Sequence, residues 1–380
     1  MIAANLPIQR PRDARLLLVR ADGRITHAPR SRFVDFLTPG DVVIANDAAT
    51  LPASLHGVHV ASGAEIEVRL AGRRSLAVDG ERAPFLAVVF GAGDYHVRTE
   101  DRPPPPALSA GDRLMFRGPR GVAGLAPVGA EGLSATIEAL LDHPRLVALR
   151  FDGGARALWA GLARQGRPIQ YAHISTPLAL WDVWTPIAAL PVAFEPPSAS
   201  FALDWGTIRA LRERGIAFAT IALAAGISST GDPELDRRLP FDEPYRIPEA
   251  TVSAIRRARE LGGRIVAVGT SVVRGLEHAA SRDGVVRAGD ALADQRLGPA
   301  SRLRLVHAVL SGTHEPGSSH YQLLRAFLDE RTLATASATL EASGYRTHEF
   351  GDSVLVEKQD RAVRDAADIF EREHGIASAA

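Results

Sequence analysis

The feature that most constrains the fold is a change in sequence pattern near Gln170. Beyond this residue, short apolar runs typical of buried strands alternate with amphipathic helical segments. The predicted strands are 218–223, 265–268 and 353–357, and the predicted helices are 204–214, 248–261, 272–280 and 332–343. Strands that alternate with helices indicate a mainly parallel α/β layer.

The chain before Gln170 instead has short strands separated by turns that contain Gly and Pro, which is typical of an all-β unit. The predicted strands are 15–19, 41–46, two within 55–70, 85–90, 95–98, 113–116 and 146–151, with a loop at 118–132 and a helix at 157–165. The predicted fold class is α/β in the mixed α+β sense. An α/β domain of residues 1–57 and 152–358 carries an inserted, smaller, all-β barrel-like domain of residues 58–151. Residues 359–380 are predicted to form a C-terminal helix or a tail.

Composition excludes several kinds of site. The chain has no cysteine, so disulfides, thiolate metal sites and cysteine nucleophiles are excluded, in agreement with a cytoplasmic location. Lys+Arg and Asp+Glu both number 44, so the net charge gives no overall attraction to nucleic acid or membrane. No secretory signal is evident and no apolar run approaches the roughly 20 residues of a membrane span. We therefore expect no membrane association, and the oligomeric state stays open.

A polar, turn-forming segment at 311–319 contains His314 and Glu315 and lies between two apolar runs, 303–310 and 321–327, that both look helical. A loop that carries His and Glu and ends where a helix starts can host chemistry. The alternative is an ordinary connection with a helix cap.

A second candidate segment, Gly269-Thr270-Ser271, lies between a predicted strand and a predicted helix. Glycine permits a tight turn, and free N–H groups at a helix start bind anions or carbonyl oxygens. Thr270 or Ser271 could instead simply cap the helix. Arg274 and Glu277, three residues apart on this helix, are interpreted as a surface ion pair worth a few tenths of a kcal/mol.

Polar residues near the ends of a predicted strand form a third candidate, because Asp41, Asn46 and Asp47 can present oxygens to the hydroxyls of a ligand. The alternative is a turn held by side-chain-to-backbone hydrogen bonds. Glu65 and Glu67 alternate along a strand and are interpreted as its solvent-facing side.

The histidines give no metal signature. His307, His314 and His320 are six or seven residues apart, which matches neither the i,i+4 helical pair nor a known zinc spacing. The sequence therefore predicts no metal.

One stretch, Ala-Val-Gly-Thr-Ser-Val-Val-Arg-Gly-Leu-Glu at 267–277, stands in a fixed order with segments 12–17, 39–47, 51–57, 63–67, 298–299, 314–318 and 345–352. Taken in this order, these segments resemble one family, the S-adenosylmethionine:tRNA ribosyltransferase-isomerases of queuosine biosynthesis. The stretch at 267–277 is the most similar of them.

The resemblance implies a transferase and isomerase with an α/β domain joined to a smaller β domain. Such an enzyme transfers and isomerises the ribosyl group of S-adenosylmethionine onto the aminomethyl group of a 7-deazaguanine base in tRNA, which gives epoxyqueuosine and releases adenine and methionine. S-adenosylmethionine is then a substrate, tRNA a possible partner and a small nucleoside the ligand, and no metal is required. The expected ligand-binding residues are Gly269, Thr270, Ser271, Arg274, Asp41, Asn46 and Asp47, and the expected acid–base residues are His314, Glu315 and Glu243.

The chain departs from the family at two histidines, which are replaced by Ala202 and Ala222, and it keeps only Glu243 of a histidine-rich stretch. An alanine side chain neither transfers a proton nor donates a hydrogen bond. Two alternatives therefore stay open beside the family reaction. One is a paralog that uses a different small acceptor, and the other is a nucleoside-binding protein without catalysis.

Overall fold

The computed structural model describes residues 1–77, 84–118 and 132–360. The predicted loop at 118–132 and the predicted C-terminal helix or tail therefore lie almost entirely outside the described residues. Within these residues no helix is long and apolar enough to cross a membrane.

The described chain contains 20 strands, eight α-helices and three 3₁₀ helices. The strands are β1 (Ile2–Ala3), β2 (Arg15–Val19), β3 (Ile25–Pro29), β4 (Val42–Asn46), β5 (Ala49–Thr50), β6 (Ser54–His59), β7 (Glu65–Gly72), β8 (Phe85–Phe90), β9 (Arg113–Phe116), β10 (Ser134–Leu140), β11 (Leu146–Phe151), β12 (Gly166–Arg167), β13 (Pro191–Ala193), β14 (Ala217–Leu223), β15 (Glu243–Ile247), β16 (Ile265–Val268), β17 (Gly289–Ala293), β18 (Ala308–Gly312), β19 (Arg346–Thr347) and β20 (Ser353–Glu357). The α-helices are α1 (Ala155–Gln165), α2 (Leu180–Val183), α3 (Trp205–Glu213), α4 (Pro233–Asp236), α5 (Glu249–Glu260), α6 (Thr270–Ala279), α7 (Ser319–Leu324) and α8 (Glu330–Ala342). The 3₁₀ helices are Arg30–Phe36, Thr99–Asp101 and Ser198–Ala202.

A nine-stranded mixed sheet forms the α/β part, in the order β17-β15-β14-β4-β16-β18-β20-β2-β3. Its centre, β14-β4-β16-β18, is parallel. Alternate residues of β4 enter different cores: Val42 and Ile44 pack with α5 and α6, whereas Val43 and Ala45 pack with α3 and the first 3₁₀ helix. Because both faces are covered, the central strands consist mostly of apolar residues. The predicted parallel α/β layer is confirmed.

Six antiparallel strands form a closed barrel in the order β6-β7-β8-β11-β10-β9. The barrel closes because β9 pairs with β6 as well as with β10. Its first strand begins at Ser54 and its last ends at Phe151. The apolar core of the barrel also includes Ala222 and Ala224 at the end of β14, so the barrel packs directly on the sheet. The predicted barrel-like all-β unit is confirmed.

Two predicted elements were wrong. Residues 303–310 looked helical, but Ala308–Gly312 is the central strand β18 and the residues before it are not helical. A short apolar run covered on both faces cannot be distinguished from a buried helix by periodicity alone. Residues 95–98, predicted as a strand, form turns instead.

The predicted solvent-facing side of β7 was also wrong at Glu67, which is 2% exposed. Its carboxylate accepts hydrogen bonds from Ser54 Oγ at 2.8 Å and Arg69 Nε at 2.7 Å, and it also pairs with Arg102. Burial alone would raise the pKa of Glu67, but the two guanidinium groups hold this pKa well below its ordinary value. On β7, the alternation of charged residues at Glu67 and Arg69 thus reflects a buried ionic cluster.

Candidate functional site

A cleft of about 380 Å³ lies at the carboxyl ends of β14, β16 and β18. Open α/β sheets bind ligands at this edge, because the loops that follow parallel strands converge there. The cleft is lined by parts of segments 195–199, 225–228, 236–243, 269–271, 296–297 and 311–323.

The turn at Gly269 brings the start of α6 to the cleft wall. Gly269 has φ +98° and ψ 150°, a backbone conformation that glycine adopts without strain. Its N–H donates to the carbonyl of Leu310 at 2.8 Å, which fixes the turn against β18. Among the described residues no side-chain hydrogen bond caps α6, whose N-cap is Gly269, and the first-turn N–H groups lack intrahelical partners. The three residues Gly269, Thr270 and Ser271 line the cleft together.

Asn46 and Asp47 lie near this turn but do not line the cleft. The amide of Asn46 is fully buried and exchanges hydrogen bonds with the backbone of Leu223, at 2.9 and 3.0 Å. It also donates to Ser271 Oγ at 3.4 Å, so it supports the turn from behind. Asp47 accepts a 2.7 Å hydrogen bond from Thr220, and burial raises the pKa of its carboxyl group.

Asp41 is located at the opposite edge of the sheet from the cleft, before the amino end of β4. Its carboxylate accepts hydrogen bonds from Arg264 Nη2 at 2.8 Å and from the Arg264 N–H at 2.7 Å. The structure thus places Asp41 away from the cleft, in a hydrogen-bonded pair with Arg264. The two ends of β4 lie on opposite sides of the sheet, and only the carboxyl ends of the parallel strands face the cleft.

Arg274 is buried, at 3% exposure, although the sequence indicated a surface residue. Its guanidinium pairs with Glu243 at 2.6 Å. It also donates to three carbonyl oxygens, those of Phe241 at 2.8 Å, Ala293 at 2.9 Å and Gln295 at 3.0 Å. These contacts occupy the guanidinium and connect α6 to β15 and β17, and Arg274 is not among the residues that line the cleft.

The expected surface pair of Arg274 with Glu277 does not form. Glu277 is also buried, and its carboxylate accepts hydrogen bonds from the backbone N–H groups of residues 304, 305 and 306 at 2.7, 2.9 and 2.8 Å. Helical spacing alone could not distinguish a surface pair from two buried side chains with separate partners.

Glu243 lines the cleft but is bound on both carboxylate oxygens. One accepts from the N–H of Gly226 at 2.8 Å, and the other pairs with Arg274. A Cβ on Gly226 would lie 2.7 Å from the carbonyl oxygen of Ala71, so only glycine fits between this carboxylate and the barrel. Glu243 therefore positions the 225–228 loop of the cleft.

His314 forms part of the cleft wall, whereas Glu315 is exposed and is not among the lining residues. The Nε2 atom of His314 is 3.0 Å from Ser311 Oγ, and its ring stacks on His320 at 4.4 Å between centroids. Burial, together with the neighbouring His320 and His348, holds the pKa of His314 well below its ordinary value. The imidazole is therefore neutral near pH 7 and can accept or donate a hydrogen bond.

Glu195 is a carboxylate of the cleft wall that no sequence pattern indicated. It is 8% exposed and accepts a hydrogen bond from the N–H of Ser228 at 3.2 Å. It forms no ion pair with any described residue. Burial, with a smaller contribution from Glu349, raises the pKa of Glu195 to about 7. The available signal was a lone acidic residue between the end of a short buried strand and two prolines, Pro196 and Pro197.

The sequence model of the family described as "Queuosine biosynthesis protein" matches residues 1–356. The chain belongs to this family. Three relatives named S-adenosylmethionine:tRNA ribosyltransferase-isomerase are similar to it over nearly their whole lengths. That of Moorella thermoacetica is 30% identical (93% of this chain, 95% of the relative), that of Sorangium cellulosum 32% (95% and 96%) and that of Thermus thermophilus 33% (91% and 93%). A solved structure titled S-adenosylmethionine tRNA ribosyltransferase, from Thermotoga maritima, is 24% identical with a TM-score of 0.47, covering 93% of this chain and 96% of that chain. The family predicted from the sequence segments is confirmed.

Proposed function

We propose that this protein transfers and isomerises the ribosyl group of S-adenosylmethionine onto a 7-aminomethyl-7-deazaguanine base in tRNA, which yields epoxyqueuosine. The observation that carries the proposal is the similarity to enzymes named for this activity over more than 90% of both chains. That similarity includes both the sheet that forms the cleft and the barrel beside it.

S-adenosylmethionine is assigned to the cleft next to the start of α6. A volume of about 380 Å³ is within the usual range for small-molecule sites. The positive end of the helix dipole and the uncapped N–H groups favour an anionic group, and the carboxylate of the methionyl moiety supplies one. Gly269, Thr270 and Ser271 are the proposed contacts.

Glu195 is assigned as the general base. The sulfonium acidifies the neighbouring C5′ proton, and a base must remove that proton before the sugar rearranges. Glu243 is held by Arg274, whereas Glu195 has a raised pKa and no cationic partner among the described residues. Neutral His314 is proposed to donate a hydrogen bond to the departing adenine.

Gly269→Ala is expected to weaken the binding of S-adenosylmethionine by about 10-fold or more, because a side chain in this backbone region costs about 1–3 kcal/mol. The cause is backbone strain rather than a clash, since the added Cβ would lie 3.5 Å from Ala199. Calorimetric titration of S-adenosylmethionine measures the change. Gly154→Ala is the matched control, because that glycine has φ −87° and open space around it. If the two variants bind S-adenosylmethionine with equal affinity, the turn at Gly269 is not part of the binding site.

The function is tested by incubating the full-length protein with S-adenosylmethionine and tRNA that carries the aminomethyl-deazaguanine base. Mass spectrometry is expected to show adenine release and epoxyqueuosine in the tRNA. The control is the same tRNA with guanine at that position, which should release no adenine. Binding of S-adenosylmethionine without any modified nucleoside would contradict the proposed acceptor.

A second candidate is a transferase that acts on a small free acceptor. It is motivated by the two positions, Ala202 and Ala222, at which the chain lacks family histidines. Ala222 packs with the barrel core and Ala202 packs against the core that contains Leu16 and Val43. Because neither residue lines the cleft, transfer to tRNA remains the first candidate. Adenine release with free 7-aminomethyl-7-deazaguanine, but not with tRNA, would establish this alternative. Binding without turnover on either acceptor would indicate a nucleoside-binding protein.

A further inference from the structure

Two histidines and a glutamate converge beside the cleft: His173, His348 and Glu349. Each of the three side chains can offer one atom to a metal ion, and these three atoms all lie within 4.8 Å of one another. His173 lies between β12 and α2, and the other two lie between β19 and β20. The spacing of histidines along the chain could not reveal this group, because its members come from segments far apart in sequence.

Two buried atoms of this group have no partner within normal hydrogen-bond geometry among the described residues. They are His173 Nε2 and Glu349 Oε2, which lie 3.5 Å apart, beyond the usual length of an N–H···O bond. A buried polar atom without a partner costs about 1–3 kcal/mol. A shared cation would satisfy both atoms at once.

The separation of these atoms suits a tetrahedral transition-metal site. Zinc lies about 2.0–2.2 Å from nitrogen and oxygen ligands, so two ligands of a tetrahedron are about 3.4 Å apart. The observed 3.5 Å agrees with this edge. The widest separation in the group, at most 4.8 Å, would have to shorten by at most about 1.4 Å, a distance within the reach of side-chain rotation.

Ring stacking orients the histidines. His173 stacks on Tyr171 with 5.6 Å between centroids and on His348 with 4.4 Å. Stacking restricts the orientations of both imidazole rings, which lowers the cost of ordering these ligands when an ion binds.

We propose that His173, His348 and Glu349 bind one divalent transition-metal ion of the zinc class. Two histidines and a glutamate are a known zinc ligand set, which leaves a fourth position for water or another ligand. The site adjoins the cleft wall, because a Cβ on Gly312 would lie 3.6 Å from His314 Nε2 and 4.0 Å from the His348 carbonyl oxygen. The proposal goes beyond ribosyl transfer, since no residue of this group is assigned a contact with S-adenosylmethionine or with the acceptor.

The test uses the full-length protein after chelator treatment, titrated with zinc chloride by calorimetry and with cobalt(II) by visible absorption. We expect one zinc ion per chain, the absorption of a tetrahedral cobalt complex and a higher thermal midpoint with metal. His173→Ala, His348→Ala and Glu349→Gln are each expected to weaken zinc binding by at least about 100-fold.

His96→Ala is the control, because it removes an exposed imidazole outside the group and should bind zinc like the wild type. Glu349→Gln keeps the size of the side chain, so weaker binding by this variant, with unchanged circular dichroism, supports the site. The proposal is overturned if the wild type takes up no stoichiometric zinc. It is equally overturned if the three variants bind zinc as tightly as His96→Ala. Neither result depends on ribosyl transfer.

Discussion

Glu195→Gln is expected to lower kcat by about 10²- to 10⁴-fold, the usual contribution of a general base. Glutamine keeps the volume and one carbonyl oxygen, so it can still accept the hydrogen bond from Ser228, but it cannot take a proton. Single-turnover release of adenine from S-adenosylmethionine measures the effect. Glu315→Gln is the matched control, because Glu315 is exposed outside the cleft and its replacement should leave kcat unchanged.

The same assignment predicts a pH dependence. Because the pKa of Glu195 is raised to about 7, the wild-type rate should increase with pH up to about 7 and level off above it. The rate of Glu195→Gln should not show this increase with pH. Wild-type turnover by Glu195→Gln over the whole pH range would assign the base to another group.

The pH dependence of the free energy of unfolding provides an independent check that Glu195→Gln folds correctly. The pKa of Glu195 is raised from 4.5, so the folded protein holds a proton that the unfolded chain releases between about pH 4.5 and 7. Stability therefore falls as the pH rises through this window, by about 3 kcal/mol for a shift of this size. Glu195→Gln removes that cost and should be more stable than the wild type above pH 7. A variant that is inactive but more stable at pH 8 has lost chemistry rather than structure.

Arg274→Ala is expected to lower the free energy of unfolding by about 3–5 kcal/mol, because it leaves Glu243 buried and unpaired. It also removes the donors to three backbone carbonyl oxygens, so the hydrogen bonds that connect α6 with β15 and β17 through this side chain are lost. Urea unfolding followed by circular dichroism measures the change.

Arg246→Ala is the matched control for this variant. Arg246 pairs with Asp290 between the same two strands, but both side chains are about half exposed. Removal of such a pair should cost less than about 1 kcal/mol. If the two replacements destabilise the protein equally, the buried pair does not fasten α6 to the sheet.

Local patterns predicted much of the fold. Two strands of the barrel, 85–90 and 113–116, have the predicted bounds, because each is a short apolar run that ends at turn residues. The α6 turn was also visible, because a glycine between a buried strand and a helix is a local signal. The family followed from segments whose order along the chain is itself sequence information.

Local sequence patterns predicted most strands and helices, the turn at Gly269 and the family. Which charged groups are buried, and which of them are in contact, became clear from the folded chain alone. It buried Arg274 against Glu243, left Glu195 in the cleft without a cation, and brought His173 to Glu349. The physical reason is that secondary structure depends largely on neighbours along the chain, whereas the charge state and partners of a side chain depend on desolvation and on contacts with residues distant in sequence.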